Sequence, residues 1–288
     1  MKKRMMNALT GLMMVVALTL TISACGGGDD APTSTDNPAN NGGNGSGGNG
    51  GGGATGAFQG AKRVFGNNLV KAFGREGYDR YTVGYDANGF VTKIHRDRYS
   101  TGTTVDRTEE WQFTYSNGSV TCAQYRDGSL RGNYVVNIGA NGFASSSVRP
   151  DGSITAEYDA EGHIIKQTYT ETGRASESII WNWQNGDIVS GGWQNESVSV
   201  AYTSPAYPNA IANVAGYIEF DHSMGFDMDD DVSFVTGLMG YGPKHLPMAW
   251  SDRNTSATNT WTLDGMGRAT KVVVTTNNSS TYTHYWEF

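Results

Sequence analysis

The sequence of 288 residues lacks any recognisable catalytic motif. Its five histidines (His95, His163, His222, His245 and His284) fall in no H-E-x-x-H or other metal-ligand spacing. It contains no G-x-S-x-G nucleophile elbow. After residue 24, no apolar run reaches the ~20 residues that a membrane-spanning helix needs. There are two cysteines, Cys25 and Cys122. Cys25 is assigned below to another role, so Cys122 has no intramolecular partner and a disulfide framework is excluded. In the strand-like context SVTCAQY, Cys122 reads as a small buried hydrophobe. Basic charge is scarce as well. Without residues 1–24 the chain holds 18 Lys and Arg against 28 Asp and Glu, a net charge of −10. Long-range repulsion then disfavours nucleic acid and anionic lipid surfaces as partners.

The N-terminus is informative. Lys2, Lys3 and Arg4 precede an apolar run from about Leu9 to Ile22, and Ser23 and Ala24 lead into Cys25. This is the charged, apolar and small-residue order of a secretory signal over residues 1–24. The I-S-A-C ending resembles the lipobox of bacterial lipoproteins. The resemblance implies cleavage before Cys25 and lipid on its thiol and new amine. The alternative is an ordinary signal peptide with a stray cysteine. Residues 25–60 then form the lipidated cysteine and a tether of Gly, Asn, Ser and Pro, too poor in apolar groups to offset its ordering entropy. Gly43-x-Gly45-x-x-Gly48 lies in this tract without a flanking strand or helix, so it is no dinucleotide fingerprint.

Residues 61–288 read as a single all-β domain. Runs of alternating Val, Ile, Thr, Tyr, Phe and Trp are separated by glycine turns at Gly89, Gly118, Gly142, Gly162 and Gly186. Each unit is a strand, a tight turn and a return strand, as in YTVGYDANGFVTKIHRD and ITAEYDAEGHIIKQTYTETG. Repeated hairpins of this kind predict an antiparallel meander, either a large curved sheet or a barrel. Trp111, Phe113 and Tyr115 alternate with Gln112 and Thr114, and Ile179, Trp181 and Trp183 with Ile180 and Asn182. Period-two patterning gives the sheet one aromatic face and one polar face. A helix is predicted over residues 227–240, capped by Asp227 or Asp229 and ended by Gly240 or Gly242. Phe234, Leu238 and Tyr241 form its apolar stripe. It is predicted to pack on the aromatic face or plug one mouth, with Asp229 to Asp231 pointing to solvent. A second helix is predicted over residues 208–216.

The units YDANGFVTKI, YDAEGHIIKQ and LDGMGRATKV resemble the tyrosine-aspartate repeats of large bacterial surface proteins. The order of parts is lipobox, tether, hairpin units, a short helix, GLMGYGPKHLPMAW, a closing hairpin and the aromatic strand HYWEF. It resembles a family of Bacteroidetes lipoproteins of unknown function described as having a porin-like fold. The resemblance covers residues 62–288 and is sharpest over Leu238–Pro247 and the hairpin around Gly267. IGANGF lacks the Tyr-Asp pair, and WNWQNGD is a distant version. Asp29 and Asp30 resemble the acidic export signals of surface lipoproteins in the Bacteroidetes. The resemblance implies a lipid-anchored protein of the outer membrane, at the cell surface or on the periplasmic face. It carries no known activity, so it transfers no functional residue.

Few residues suggest a site. Asp227-x-Asp229-x-Asp231 mimics the start of a calcium loop, but Val232 stands where glycine is needed and Leu238 where a bidentate glutamate is needed. Capping a helix fits these acids better than holding metal. Glu109, Glu157, Asp159, Glu177, Asp187 and Glu219 could supply a glycosidase pair, which sequence spacing does not constrain. Trp181, Trp183 and Trp193 are candidates for stacking on a sugar or peptide. The clean alternation of Trp181 and Trp183 with polar neighbours favours a core role for those two, which leaves Trp193, beside Gly191 and Gly192, as the better exposed candidate. No cofactor is expected. The reading is a non-enzymatic binding or interaction module for a glycan or peptide. The alternatives are a structural or assembly subunit with a protein partner, and a glycan hydrolase.

Overall fold

The computed structural model describes residues 58–149, 151–193, 198–202, 226 and 228–288. Cys25, nearly all of the tether, the predicted helix over 208–216, Asp227 and Glu219 lie outside the described residues. The strands are β1 (Ala72–Arg75), β2 (Asp79–Tyr85), β3 (Val91–Thr101), β4 (Thr104–Ser116), β5 (Ser119–Arg126), β6 (Ser129–Ile138), β7 (Ala144–Arg149) and β8 (Gly152–Tyr158). They continue as β9 (Ile164–Glu171), β10 (Glu177–Gln184), β11 (Asp187–Trp193), β12 (Val198–Ala201), β13 (Ala249–Ser251), β14 (Ser256–Leu263), β15 (Ala269–Thr276) and β16 (Thr281–Glu287). Two short helices are described, α1 (Lys62–Phe65) and α2 (Asp230–Val235).

Every strand pairs antiparallel with its sequence neighbours, and β1 pairs with β16 through Phe73 opposite Trp286, so the sheet is a closed barrel of 16 strands. Closure removes the unpaired edges that would otherwise recruit other chains. The hairpin phasing follows from turn chemistry. Gly89, Gly118, Gly142, Gly162 and Gly186 all have φ between 76° and 90°. The Tyr-Asp units have a further device. Asp86 Oδ1 accepts the backbone N–H groups of Asn88 and Phe90, both at 2.9 Å. Asp159 does the same for Glu161 and His163, and Asp264 for Met266 and Arg268. A single carboxylate oxygen thereby satisfies two turn donors. In IGANGF, which has no such Asp, the Asn141 side chain accepts from the Phe143 N–H at 3.0 Å.

The two faces of the wall differ sharply. On β14, Ala257 and Asn259 are buried while Ser256, Thr258, Thr260 and Thr262 are exposed. On β4, Trp111 and Phe113 are buried and Gln112 and Thr114 exposed, and on β10 Ile179 and Trp181 are buried and Asn182 exposed. The buried set points into the lumen and the hydroxyl-rich set out. A wall of 16 strands is too wide for its own side chains to fill. Inner segments complete the core: Val64 and Phe65 of α1, Phe226, Met228, and Val232, Phe234, Val235, Leu238 and Met239 in and after α2. These touch the wall on opposite sides. Asp229 reaches Tyr81 and Arg96 on β2 and β3, while Met239 Sδ receives the Gln167 amide of β9 at 3.9 Å.

The inner segments also cap one end of the barrel. Tyr241 N–H donates to Gly162 O at 3.0 Å and Lys244 N–H to Gly186 O at 2.9 Å. Arg63 donates to the Asn141 carbonyl at 2.8 Å. Contact is so close at Gly240 (φ 82°) that a Cβ there would lie 2.3 Å from Gly162 O. The predicted plug is therefore present, but its helix is shorter than the stripe suggested. It spans Asp230–Val235, not 227–240. Gly237 and Gly240, at φ 77° and 82°, take the chain out of helical geometry, so Leu238 is buried from a loop. Asp229 is the N-cap residue but makes no capping hydrogen bond with its side chain. It does not point to solvent, because its carboxylate turns to the wall.

Candidate functional site

Inside the barrel, opposite the capped end, a charge network ties α2 to the wall. The Arg96 guanidinium lies 2.6 Å from Asp79, 3.1 Å from Glu109 and 3.4 Å from Asp229. Arg126 adds a second cation to Glu109 at 2.8 Å. The Tyr81 hydroxyl is 3.4 Å from Asp229, and its ring lies 4.9 Å beneath Arg96. Three carboxylates thus share two arginines. Burial raises the Asp229 pKa above the usual carboxylate range; Arg96 opposes the rise, while Glu109 and Asp79 add to it. Its wall carboxylates are buried, Glu109 and Asp79 being about 5% and 6% exposed, while the Arg126 side chain is 39% exposed.

The sequence candidates are dispersed. Trp181 is buried in the core. Trp183 faces the lumen, donates its indole N–H to Ile164 O at 2.8 Å and stacks on His163 at 4.2 Å. Trp193 is half-buried, opposite Ile179 on the inner wall. None of these rings lies on the polar outer face. Asp229 is taken by Arg96, and among the described residues no group of three or more His, Cys, Asp or Glu could hold a metal ion. Of the proposed carboxylates, Asp159 holds His163 at 2.9 Å, Asp187 holds His245 at 2.7 Å and Glu157 holds Lys166 at 3.1 Å. Cys122 is buried, and burial pushes its thiol up to about 12, which leaves it inert.

The feature that sequence reading missed is a polar hollow of about 390 Å³ on the outer wall, lined by His95, Thr108, Glu110, Gln112, Tyr125, Asp127 and Gly128. The ladder sets it, because His95 faces Glu110 across β3–β4 and Glu110 faces Tyr125 across β4–β5. Glu110 takes Lys93 Nζ at 2.5 Å and the Gln112 amide at 2.7 Å, with His95 Nδ1 at 3.8 Å. His95 Nε2 lies 3.1 Å from Asp97. Partial burial disfavours ionisation of Glu110, but the hydrogen bonds from Gln112 and Lys93 outweigh it and hold the carboxyl below its usual range. A phenol ring, an ionised carboxylate, an amide and a hydroxyl share one concavity. The pattern "every second residue polar" announces an outer face but not which polar residues meet. A second hollow, of about 420 Å³, lies at the short strands β12 and β13; Ser199, Ser251, Ser256 and Thr258 line it from the outer face, and Val200 and Trp250 share the inner face with Ala257.

No protein-family model matches the sequence, and no curated protein matches it. The fold has relatives among solved structures. A crystal structure described as a porin-like protein from Bacteroides uniformis ATCC 8492 is similar at TM-score 0.59 with 13% identity, covering 76% of this chain and 94% of the other. A porin-like protein from Bacteroides vulgatus ATCC 8482 aligns at TM-score 0.32 with 10% identity, covering 76% and 98%, and adds nothing to the assignment. The likeness at 0.59 concerns the barrel fold alone.

Proposed function

We propose that the protein is a non-enzymatic binding module of the outer-membrane surface, held by lipid at Cys25, and that the hollow on β3–β5 takes a neutral glycan. One observation carries the reading: the barrel's polarity is the reverse of a membrane pore's. A transmembrane barrel turns an apolar band to lipid and a polar wall to its lumen. Here Thr, Ser, Asn and Gln face out and the lumen is packed with Trp, Phe, Ile, Val and the plug. Such a wall suits water, and the described residues of the lumen pack as an apolar core. Attachment to the membrane then needs a separate device, which the signal over residues 1–24, Cys25 and the tether over 25–60 supply.

Glycan is preferred over peptide because the hollow offers an aromatic face together with several hydroxyl-binding groups and no apolar pocket. Calorimetric titration with dextran, xylan and mannan oligosaccharides tests this. One of them should bind the parent, and Tyr125→Ala should weaken it at least tenfold, about 1.4 kcal/mol, at unchanged melting temperature. Binding unaffected by that change would sink the assignment of the site. The reading of an assembly subunit draws on Val135 and Val148, which face each other across β6–β7 on the outer wall at 43% and 62% exposure. Cross-linking through Val148→Cys in membranes would capture a protein partner if that reading held.

A further inference from the structure

The end of the barrel away from the cap gathers cations in an otherwise acidic chain. There β3 and β4 run past their neighbours: β2 pairs only as far as Arg98, and β5 only as far as Glu109. On this projecting hairpin Arg98 and Arg107 are direct ladder partners, on the same face as Arg96 and Glu109. Like charges directly opposed in a sheet destabilise it. Asp79, the ladder partner of Arg98 on β2, does not relieve them. Its carboxylate is spent on Arg96 at 2.6 Å and on the backbone N–H of Arg75 at 2.9 Å.

Arg75 joins the group from β1. Its guanidinium lies 5.5 Å from the centre of the Tyr78 ring and 4.6 Å from that of Tyr282. Arg98 lies 4.8 Å from the same Tyr78 ring and donates to its hydroxyl. Two guanidinium groups thus converge on one tyrosine that is 37% exposed. Among the described residues, none of Arg75, Arg98 and Arg107 forms an ion pair with a carboxylate. His284 senses the local field: burial first, and Arg75 second, push it down to about 4.

Stacking on a ring orders a guanidinium while leaving its N–H edge free for two parallel bonds to an oxyanion. Groups ordered before binding lose less entropy on binding. We propose that Arg75 and Arg98, ordered by Tyr78 and Tyr282, form with Arg107 an oxyanion site that takes the sulfate or carboxylate group of an acidic saccharide. The oxyanion chemistry stands on these residues alone, while the choice of a saccharide as its carrier rests on the glycan reading above.

The test is calorimetric titration of the full protein with dextran sulfate, unmodified dextran and sodium sulfate at low salt. Dextran sulfate should bind at least tenfold more tightly than dextran, and its affinity should fall as salt rises. The double variant R98A/R107A should lose at least tenfold of that affinity, and Arg98→Gln alone should lose part of it if the double variant folds poorly. Tyr125→Ala should leave dextran sulfate binding intact, which separates this site from the outer hollow. Equal binding of dextran sulfate by parent and the arginine variants would overturn the site. Sodium sulfate binding as tightly as dextran sulfate would overturn the saccharide as carrier.

Discussion

Phe234→Ala probes the plug most sharply. Phe234 is 2% exposed, between Val232, Val235 and Leu238, all fully buried. A helix of six residues cannot sustain itself, because nucleation alone is unfavourable. What holds α2 is the apolar contact its side chains make inside the barrel. Removing a fully buried phenylalanine ring costs about 3–5 kcal/mol in transfer and cavity terms. That is a large share of the ~5–15 kcal/mol that stabilises a domain. For a domain of this size each kcal/mol shifts the melting temperature by about 2–4 °C, so the variant should melt about 6–20 °C below the parent. Ile180→Ala, on the outer wall at 43% exposure, is the control and should cost less than about 1 kcal/mol. Thermal unfolding followed by near-ultraviolet circular dichroism reads both. A Phe234→Ala protein melting within about 2 °C of the parent would mean that the plug contributes nothing to stability and that the lumen is not a packed core.

Asp229→Asn removes the surplus carboxylate from the Arg96 network. The folded-state pKa of Asp229 is raised, so its stabilising contribution is full below the unfolded carboxylate value and is lost as pH rises through the folded one. The melting temperature of Asp229→Asn relative to the parent should therefore climb from acid to neutral pH, and a difference that falls instead would refute the three-carboxylate account. Gly240→Ala should cost more than about 2 kcal/mol, since a positive φ and a clash with Gly162 O act together, while Gly118→Ala, with open space around it, should cost about 1 kcal/mol; urea denaturation ranks the two. Cys25→Ala should move the protein from the membrane fraction to the soluble one, and persistence in the membrane together with no acyl mass on the native N-terminus would remove the lipid anchor from the account.

The hairpins were legible because their signals are local. A glycine with positive φ fixes each turn, and the alternation around Trp111 and Trp181 assigns each strand its faces. Closure was not legible, since Phe73 meets Trp286 across almost the whole domain and no local pattern encodes that pairing. The plug's apolar residues stood out, but its backbone did not. Gly237 ends α2 early, and the sequence stripe Phe234–Leu238–Tyr241 imitates a longer helix because all three residues touch the core for different reasons. Asp229 misled for a related cause: an acid at a helix start ordinarily meets solvent and the dipole, and only the wall's Arg96 and Tyr81 turn it inward. The outer hollow and the arginine rim depend on cross-strand register, which sets Glu110 beside Tyr125 and Arg98 beside Arg107. Spacing along the chain says nothing about that register.

The central claim is that the barrel's outer wall faces water. It is tested most directly by spin labels at Val148→Cys and Ile180→Cys, two exposed outer-wall positions on separate strands, in protein held in its native membrane. Buried Cys122 should not label. Collision with a water-soluble nickel reagent should dominate over collision with lipid-dissolved oxygen at both positions. Oxygen dominating at both would place the wall in lipid and contradict the account.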